Sequence, residues 1–256
     1  MLLKIENLSK VFGGLWAIKE YNLDLPAGKI FGLIGPNGAG KTTIFNLITG
    51  IWKPNRGRIF FNGSEITGQR PDQIARKGMT RTFQVLRLFK DLSVMMNVKI
   101  ARHMHLNYAL HHALFNLPRF LKEEKELNDF VEELLDMFGL IDYKDNGAGS
   151  LPYGHQRKLD IVKALATRPK LVLLDEASSG MNPKEAEELA QLIKEVQEKY
   201  SLSMIIVEHR MRFVMGLAEQ VQVLDHGSLI AEGRPRDIQG NPKVIEAYLG
   251  VGEKIA

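Results

Sequence analysis

Eight residues, Gly35-Pro36-Asn37-Gly38-Ala39-Gly40-Lys41-Thr42, constrain this chain more than any others. Spaced glycines followed by Lys-Thr form a loop that cradles phosphate. The flanks are those such a loop needs. Ile30-Phe31-Gly32-Leu33-Ile34 before it is a short apolar strand, and residues 43–49, starting at Thr43, read as a helix stopped by Gly50. Glycine at 35, 38 and 40 lets the backbone curl so that successive N–H groups point at phosphate oxygens. The helix that follows adds the positive end of its dipole at the same place. Lys41 offers a mobile cation to the β- and γ-phosphates, and the Thr42 hydroxyl is a ligand for Mg²⁺. Strand, loop and helix together imply a bound nucleoside triphosphate.

A chain of 256 residues, 45% apolar and 25% charged, can bury a full core. Lack of cysteine excludes disulfides, thiol nucleophiles and zinc–thiolate sites. Residues 1–6 lack the basic and apolar regions of a signal peptide, and no apolar run is long enough to cross a bilayer. The expectation is a cytoplasmic protein able to dock on membrane proteins. The net charge of +4 is scattered among nearly as many acids, with no basic block interleaved with aromatics. Nucleic acid is not an expected partner.

Residues 2–12 and 18–25 alternate as strands, with Leu23 and Leu25 facing one way and Asp24 the other. Residues 58–61 form another, closed by an Asn62-Gly63 turn. The amino-terminal part thus mixes antiparallel strands with the phosphate-loop strand. From about Val85 to Ala166 the pattern is helical. Leu127, Phe130, Val131, Leu134, Leu135 and Phe138 step by three and four toward a stop at Gly139, and residues 91–110 predict a less regular helix. A flexible entry at 147–150 precedes a helix containing Leu159, Val162 and Leu165. Residues 171–174, 204–207 and 221–224 read as buried strands, and 229–231 as a fourth. Asn182-Pro183-Lys184-Glu185 is a capped helix start, followed by the stripe Ala186, Leu189, Ala190, Ile193 and Val196. Buried strands alternating with helices imply an α/β fold, a parallel sheet with helices on both sides.

Binding alone does not hydrolyse; that takes a metal anchor and a group that positions water. Asp175 ends the strand 171–174 at the carboxyl edge of the sheet, the Walker B arrangement, with Asp175 holding Mg²⁺. Glu176 is then the natural group to polarise the attacking water. His209, two residues past the next buried strand, is either a donor to the γ-phosphate or structural. Gln84, at the join between sheet and helices, is either a sensor of Mg²⁺ and water or a polar linker residue. Phe12 either stacks on a purine or, by default, lies in the core. His103, His105, His111 and His112 crowd together, but His103 and His105 point to different faces of a helix, against a metal site.

Together these motifs resemble the ATP-binding subunits of ABC transporters over essentially the whole chain. Leu151-Pro152-Tyr153-Gly154-His155-Gln156-Arg157 resembles the family's signature motif and lies between the phosphate loop and Asp175, as it does there. The resemblance implies one ABC-type P-loop NTPase domain over 1–256: a RecA-like catalytic lobe from 1–84 and 167–256, an amino-terminal antiparallel β subdomain, and an inserted helical subdomain at about 85–166. It implies Lys41, Glu176 and His209 as catalytic residues, and Thr42, Asp175 and Gln84 as metal contacts. ATP is expected against Phe12, Gly35, Pro36, Asn37, Gly38, Ala39, Gly40, Lys41, Thr42, Thr43 and Gln84. Across a head-to-tail pair, Leu151, Pro152, Tyr153, Gly154, His155 and the D-loop residue Asn182 complete the site. Phe12-Gly13-Gly14, Arg81-Thr82-Phe83-Gln84, Gly180-Met181-Asn182-Pro183 and the tail from Val244 to Gly250 resemble the LivG-type subunits of branched-chain amino acid importers. That likeness implies a second ATPase subunit, two permease subunits, an external solute-binding protein and a place on the inner face of the membrane. Urea and amide importers use similar subunits, and lipid or lipopolysaccharide export is a more distant alternative. Four positions depart from the general pattern: Pro152 for serine, Ala177 for proline, Asn182 for aspartate and Arg210 for an acid. Pro152 has neither hydroxyl nor N–H, which throws the anion contact onto Gly154 and neighbouring amides.

Overall fold

The computed structural model describes residues 1–102 and 118–249. Leu3–Phe12 (β1) and Leu15–Leu25 (β2) pair antiparallel. On the other edge of β1 lies Arg56–Phe61 (β4), which turns at Asn62-Gly63 into Ser64–Glu65 (β5). The second sheet comprises Ile30–Ile34 (β3), Met79–Arg81 (β6), Leu171–Asp175 (β7), Ser203–Val207 (β8), Gln220–Asp225 (β9) and Ser228–Gly233 (β10). Its order is β10-β9-β3-β8-β7-β6, parallel throughout except for β10.

Side-chain alternation explains why this sheet is the centre of the molecule. Ile30 and Ile34, Val172 and Leu174, and Met204 and Ile206 enter one apolar cluster; Phe31 and Leu33, Leu171 and Leu173, and Ile205 and Val207 enter another on the opposite face. Lys41–Ile48 (α1), Pro71–Arg76 (α2) and the antiparallel sheet supply the second cluster. The first is supplied by Val94–Arg102 (α3), Pro118–Met137 (α4), Tyr153–Ala166 (α5), Pro183–Tyr200 (α6) and Met211–Leu217 (α7), with Pro235–Gln239 (α8) and Pro242–Leu249 (α9) at the far edge. Val94, Leu135 and Val162 of the helical stretch share one contiguous core with Val172 and Leu174 of the sheet.

Helix α6 starts as its residues dictate. Asn182 Oδ1 accepts from Glu185 N at 3.0 Å while a Glu185 carboxylate oxygen accepts from Asn182 N at 2.9 Å. The cap is worth about 1 kcal/mol. Burial of Leu189, Ile193 and Val196 is worth about 1.5–3 kcal/mol each. Packing therefore holds the helix, and the cap sets where it begins.

Differences from the sequence reading have local causes. β10 is not a buried strand: at the sheet edge only Ala231 is buried and Leu229 is exposed. The helix expected over 91–110 begins at Val94 and is described to Arg102; the rest, with His103, His105, His111 and His112, lies outside the described residues. β6, α2 and α7 went unread because three to seven residues carry too little periodicity. Among the described residues no helix is long and apolar enough to cross a membrane.

Candidate functional site

The phosphate loop joins β3 to α1 with β2 pressed behind it. Gly40 has φ +106°, and a Cβ there would lie 2.7 Å from the Ala17 carbonyl oxygen and 2.6 Å from Ile18 Cδ1. Only glycine fits. The first turn of α1 has no side-chain cap and no acidic residue, which leaves its N–H groups to an anion. Lys41 Nζ folds back to donate to the carbonyls of Gly35 at 2.6 Å and Pro36 at 2.8 Å. Burial pushes this ammonium below its ordinary value, with Glu176 and Asp175 acting in the opposite direction.

Across from the loop, Glu176 sits just past β7 with φ +50°, a left-handed conformation unusual for a glutamate. Both of its carboxylate oxygens are held. Gln84 Nε2 donates to Oε2 at 2.9 Å, and His209 Nε2 lies 2.7 Å from Oε1. One cavity of about 460 Å³ has Asn37, Gly38, Gly40 and the first residues of α1, Lys41, Thr42 and Thr43, along one side and Gln84, Glu176 and His209 along the other. Residues up to 172 positions apart in sequence are thus brought to one place by parallel strand ends (209 minus 37).

Other candidate residues lie elsewhere. Asp175 is set behind the cavity, its Oδ2 2.7 Å from Arg81 Nη2, with both side chains about 5% exposed. Pro36 and Ala39 face a second cavity of about 380 Å³ shared with Asp225, His226 and Lys243. Phe12 is not a core residue. It is 42% exposed, with its ring 4.8 Å from Trp52 in an edge-on contact and Lys10 Nζ 5.0 Å away. Gln84, expected at a metal, donates through Nε2 to Glu176. Leu151 to His155 do not line the phosphate-loop cavity. Leu151 is buried, Pro152 is the residue before α5, and the Tyr153 ring lies against Gly180. His155 meets Tyr143 edge-on at 5.1 Å, and burial pushes its imidazole below the ordinary value. Asn182, expected at the nucleotide of a paired cassette, caps α6 through its Oδ1.

Two residues escaped the sequence reading. Arg81, read in the sequence only as part of the 81–84 motif, pairs from β6 with Asp175. Glu208 is 2% exposed, and its carboxylate accepts from Ser178 N at 2.6 Å and His209 N at 3.3 Å, tying the residues after β7 to those after β8. Desolvation pushes its carboxyl up, and the Ser178 and His209 N–H groups oppose this.

The donor set suits triphosphate with a small hard cation. Thr42 offers a hydroxyl and Asp175 a single carboxylate, and no cluster of three or more His, Cys, Asp or Glu exists among the described residues. Mg²⁺ is held in this way, by one or two carboxylates together with substrate phosphates and water.

The profile of the ABC transporter family matches residues 18–179. This chain belongs to that family. The cassette is 40% identical over 249 residues to the high-affinity branched-chain amino acid transport ATP-binding protein BraF of Pseudomonas aeruginosa, covering 97% of this chain and 98% of that protein. It is 41% identical to LivG of Escherichia coli over the same shares of the two chains. Residues 228–254 match the profile of branched-chain amino acid ATP-binding cassette transporters. Among solved structures, the ADP conformation of an ATP-binding cassette superposes with TM-score 0.84 at 30% identity, covering 97% of this chain and 98% of that one. The cassette is therefore a nucleotide-binding ATPase with the expected α/β fold, a parallel core sheet with antiparallel strands and helices around it.

Proposed function

We propose that this cassette hydrolyses ATP on the inner face of a membrane to energise import of branched-chain amino acids through partner permeases. The observation that carries the chemistry is one cavity in which the phosphate loop faces a carboxylate clasped by Gln84 and His209. Support for the solute comes from relatives such as BraF and LivG and from the match at 228–254.

Lys41 exchanges the Gly35 and Pro36 carbonyls for phosphate oxygens, while the amides from Gly38 to Thr42 take the remainder of the triphosphate. The Thr42 hydroxyl and the Asp175 carboxylate would hold Mg²⁺, which when bound would offset phosphate charge. Glu176 accepts the proton of the attacking water, Gln84 orients that water, and His209 donates to the γ-phosphate. Phe12, a partly exposed ring, stacks on the base. Leu151 to His155 meet the nucleotide of a second cassette, with Gly154 and the first amides of α5 in place of the N–H that Pro152 lacks. Asn182 belongs to the same joint. Two charge-complementary half-sites around one triphosphate give a reason to close, and loss of phosphate gives a reason to open. The stretch of about 85–166 carries that motion to two permeases served by an external solute-binding protein.

Glu176→Gln tests the chemistry: ATP affinity should stay within a few-fold while turnover falls by about 10²–10⁴. Undiminished turnover would remove Glu176 from its role. For the solute, vesicles carrying the cassette with its permeases and binding protein should take up leucine and not urea when ATP is supplied inside.

A further inference from the structure

We propose that Arg81 is the built-in counter-ion of Asp175 and the residue that positions it, standing in for the divalent cation when none is bound. The metal half of this statement rests on the reading of Asp175 given above; the ion pair itself does not. Arg81 is the last residue of β6 and lies opposite Leu173 in the parallel ladder with β7, so its side chain runs toward Asp175 at the strand end. Nη2 meets Asp175 Oδ2 at 2.7 Å, and Nη1 donates to Asn46 Oδ1 of α1 at 2.6 Å. The guanidinium centre is 5.2 Å from the Phe45 ring centroid and 5.0 Å from that of Phe83. A planar, weakly hydrated cation suits such a slot between rings, and an ammonium does not.

The environment makes the pairing matter. Both side chains are about 5% exposed, so either charge alone would be desolvated without compensation. Arg81 occupies Oδ2, while Oδ1 accepts no hydrogen bond from the described residues and is left for a metal. Through Asn46 and Phe45 the same guanidinium reaches the phosphate-loop helix, so one cation ties that helix to the strand end bearing the metal ligand. A divalent cation arriving at Asp175 takes over part of the compensation. Loss of Arg81 must therefore hurt the metal-free protein more than the loaded one.

The test is a melting cycle on the full chain, using wild type, Arg81→Met, Asp175→Asn and the double variant, in EDTA, in ATP with EDTA, and in ATP with Mg²⁺. In EDTA, Arg81→Met should lower Tm by about 5–10 °C, because a buried partner is stranded. The double variant should melt above Arg81→Met, since removing both charges strands neither. Adding ATP with Mg²⁺ should at least halve the deficit of Arg81→Met, and ATP with EDTA should not. Additive single effects, or a deficit indifferent to Mg²⁺, would overturn the proposal. If Arg81→Met does not fold, a cooperative melt restored by the double variant supports the pair, and its absence refutes it. Arg81→Lys, which keeps charge but not the fork, should recover only part of the loss; complete recovery would refute positioning. Failure of the broader reading is visible separately. Asp175→Asn would then gain as much stability from Mg²⁺ and ATP as wild type does, with the coupling in EDTA intact.

Discussion

At the phosphate loop every charged group already has a partner within the chain: Lys41 with the Gly35 and Pro36 carbonyls, Asp175 with Arg81, and Glu176 with Gln84 and His209. At the start of α5 the situation is reversed. Pro152 has no N–H, Tyr153 is 45% exposed, and none of residues 151–155 reaches the loop's cavity. The first region is a concave site with its charges held in reserve. The second is a surface whose first helical residues lie away from that cavity. Pairing inside one chain keeps the first region stable without ligand, whereas the task proposed for the second needs another molecule.

The largest effect that would break the contrast is at Lys41. Lys41→Met should weaken ATP binding by about 100-fold or more, since two charge-assisted bonds are lost. The nucleotide-free protein should melt no lower than wild type. The sign follows from the depressed ammonium: a folded-state value below the ordinary one costs stability at neutral pH, and that cost is relieved only as pH climbs toward the ordinary value of 10.5. A lower Tm without nucleotide would show that Lys41 is structural rather than held in reserve.

A smaller effect probes the second region. Gly180 has φ +78°, and a Cβ there would lie 2.5 Å from Tyr153 Cε1. Gly180→Ala should lower Tm by about 2–6 °C through backbone strain and displacement of the ring. Affinity for ATP, measured on the isolated chain by calorimetry, should hardly change. Weakened binding would mean that the two regions communicate within one chain.

Smallest is Asn182→Ala, expected to cost about 1 kcal/mol of stability through loss of the α6 cap. Single-chain ATP affinity should stay within about twofold, whereas a larger drop would place Asn182 at the nucleotide of its own chain.

Much of the first region was legible in the sequence because its signals are local. The glycine spacing at 35–40, the four-residue apolar run before Asp175, and the Asn182–Glu185 reciprocal cap each need fewer than ten residues to read. The pairings that complete the site were not legible. Arg81 meets Asp175 across 94 positions and Gln84 meets Glu176 across 92, and nothing in residue spacing says that β6 lies beside β7. Phe12 misled for a related reason: aromatic residues usually fill cores, and only the pairing of β1 with β2 leaves this one at an open hairpin end. Helix α7 is too short to reveal a period, although Phe213, Val214 and Leu217 anchor it well.

Under the proposed function, an active site needs the loop of one cassette and the start of α5 from another. Mixing Lys41→Met chains with Gly154→Asp chains tests it, because each carries the half that the other has lost. Gly154 has room for a Cβ, with Glu185 Oε1 3.5 Å away, so the second variant adds charge without a clash at Cβ. Neither protein alone should hydrolyse ATP, and the mixture, with Mg²⁺, should regain turnover above the sum of its parts. A mixture no faster than its two components, or full activity from Gly154→Asp alone, would contradict the claim.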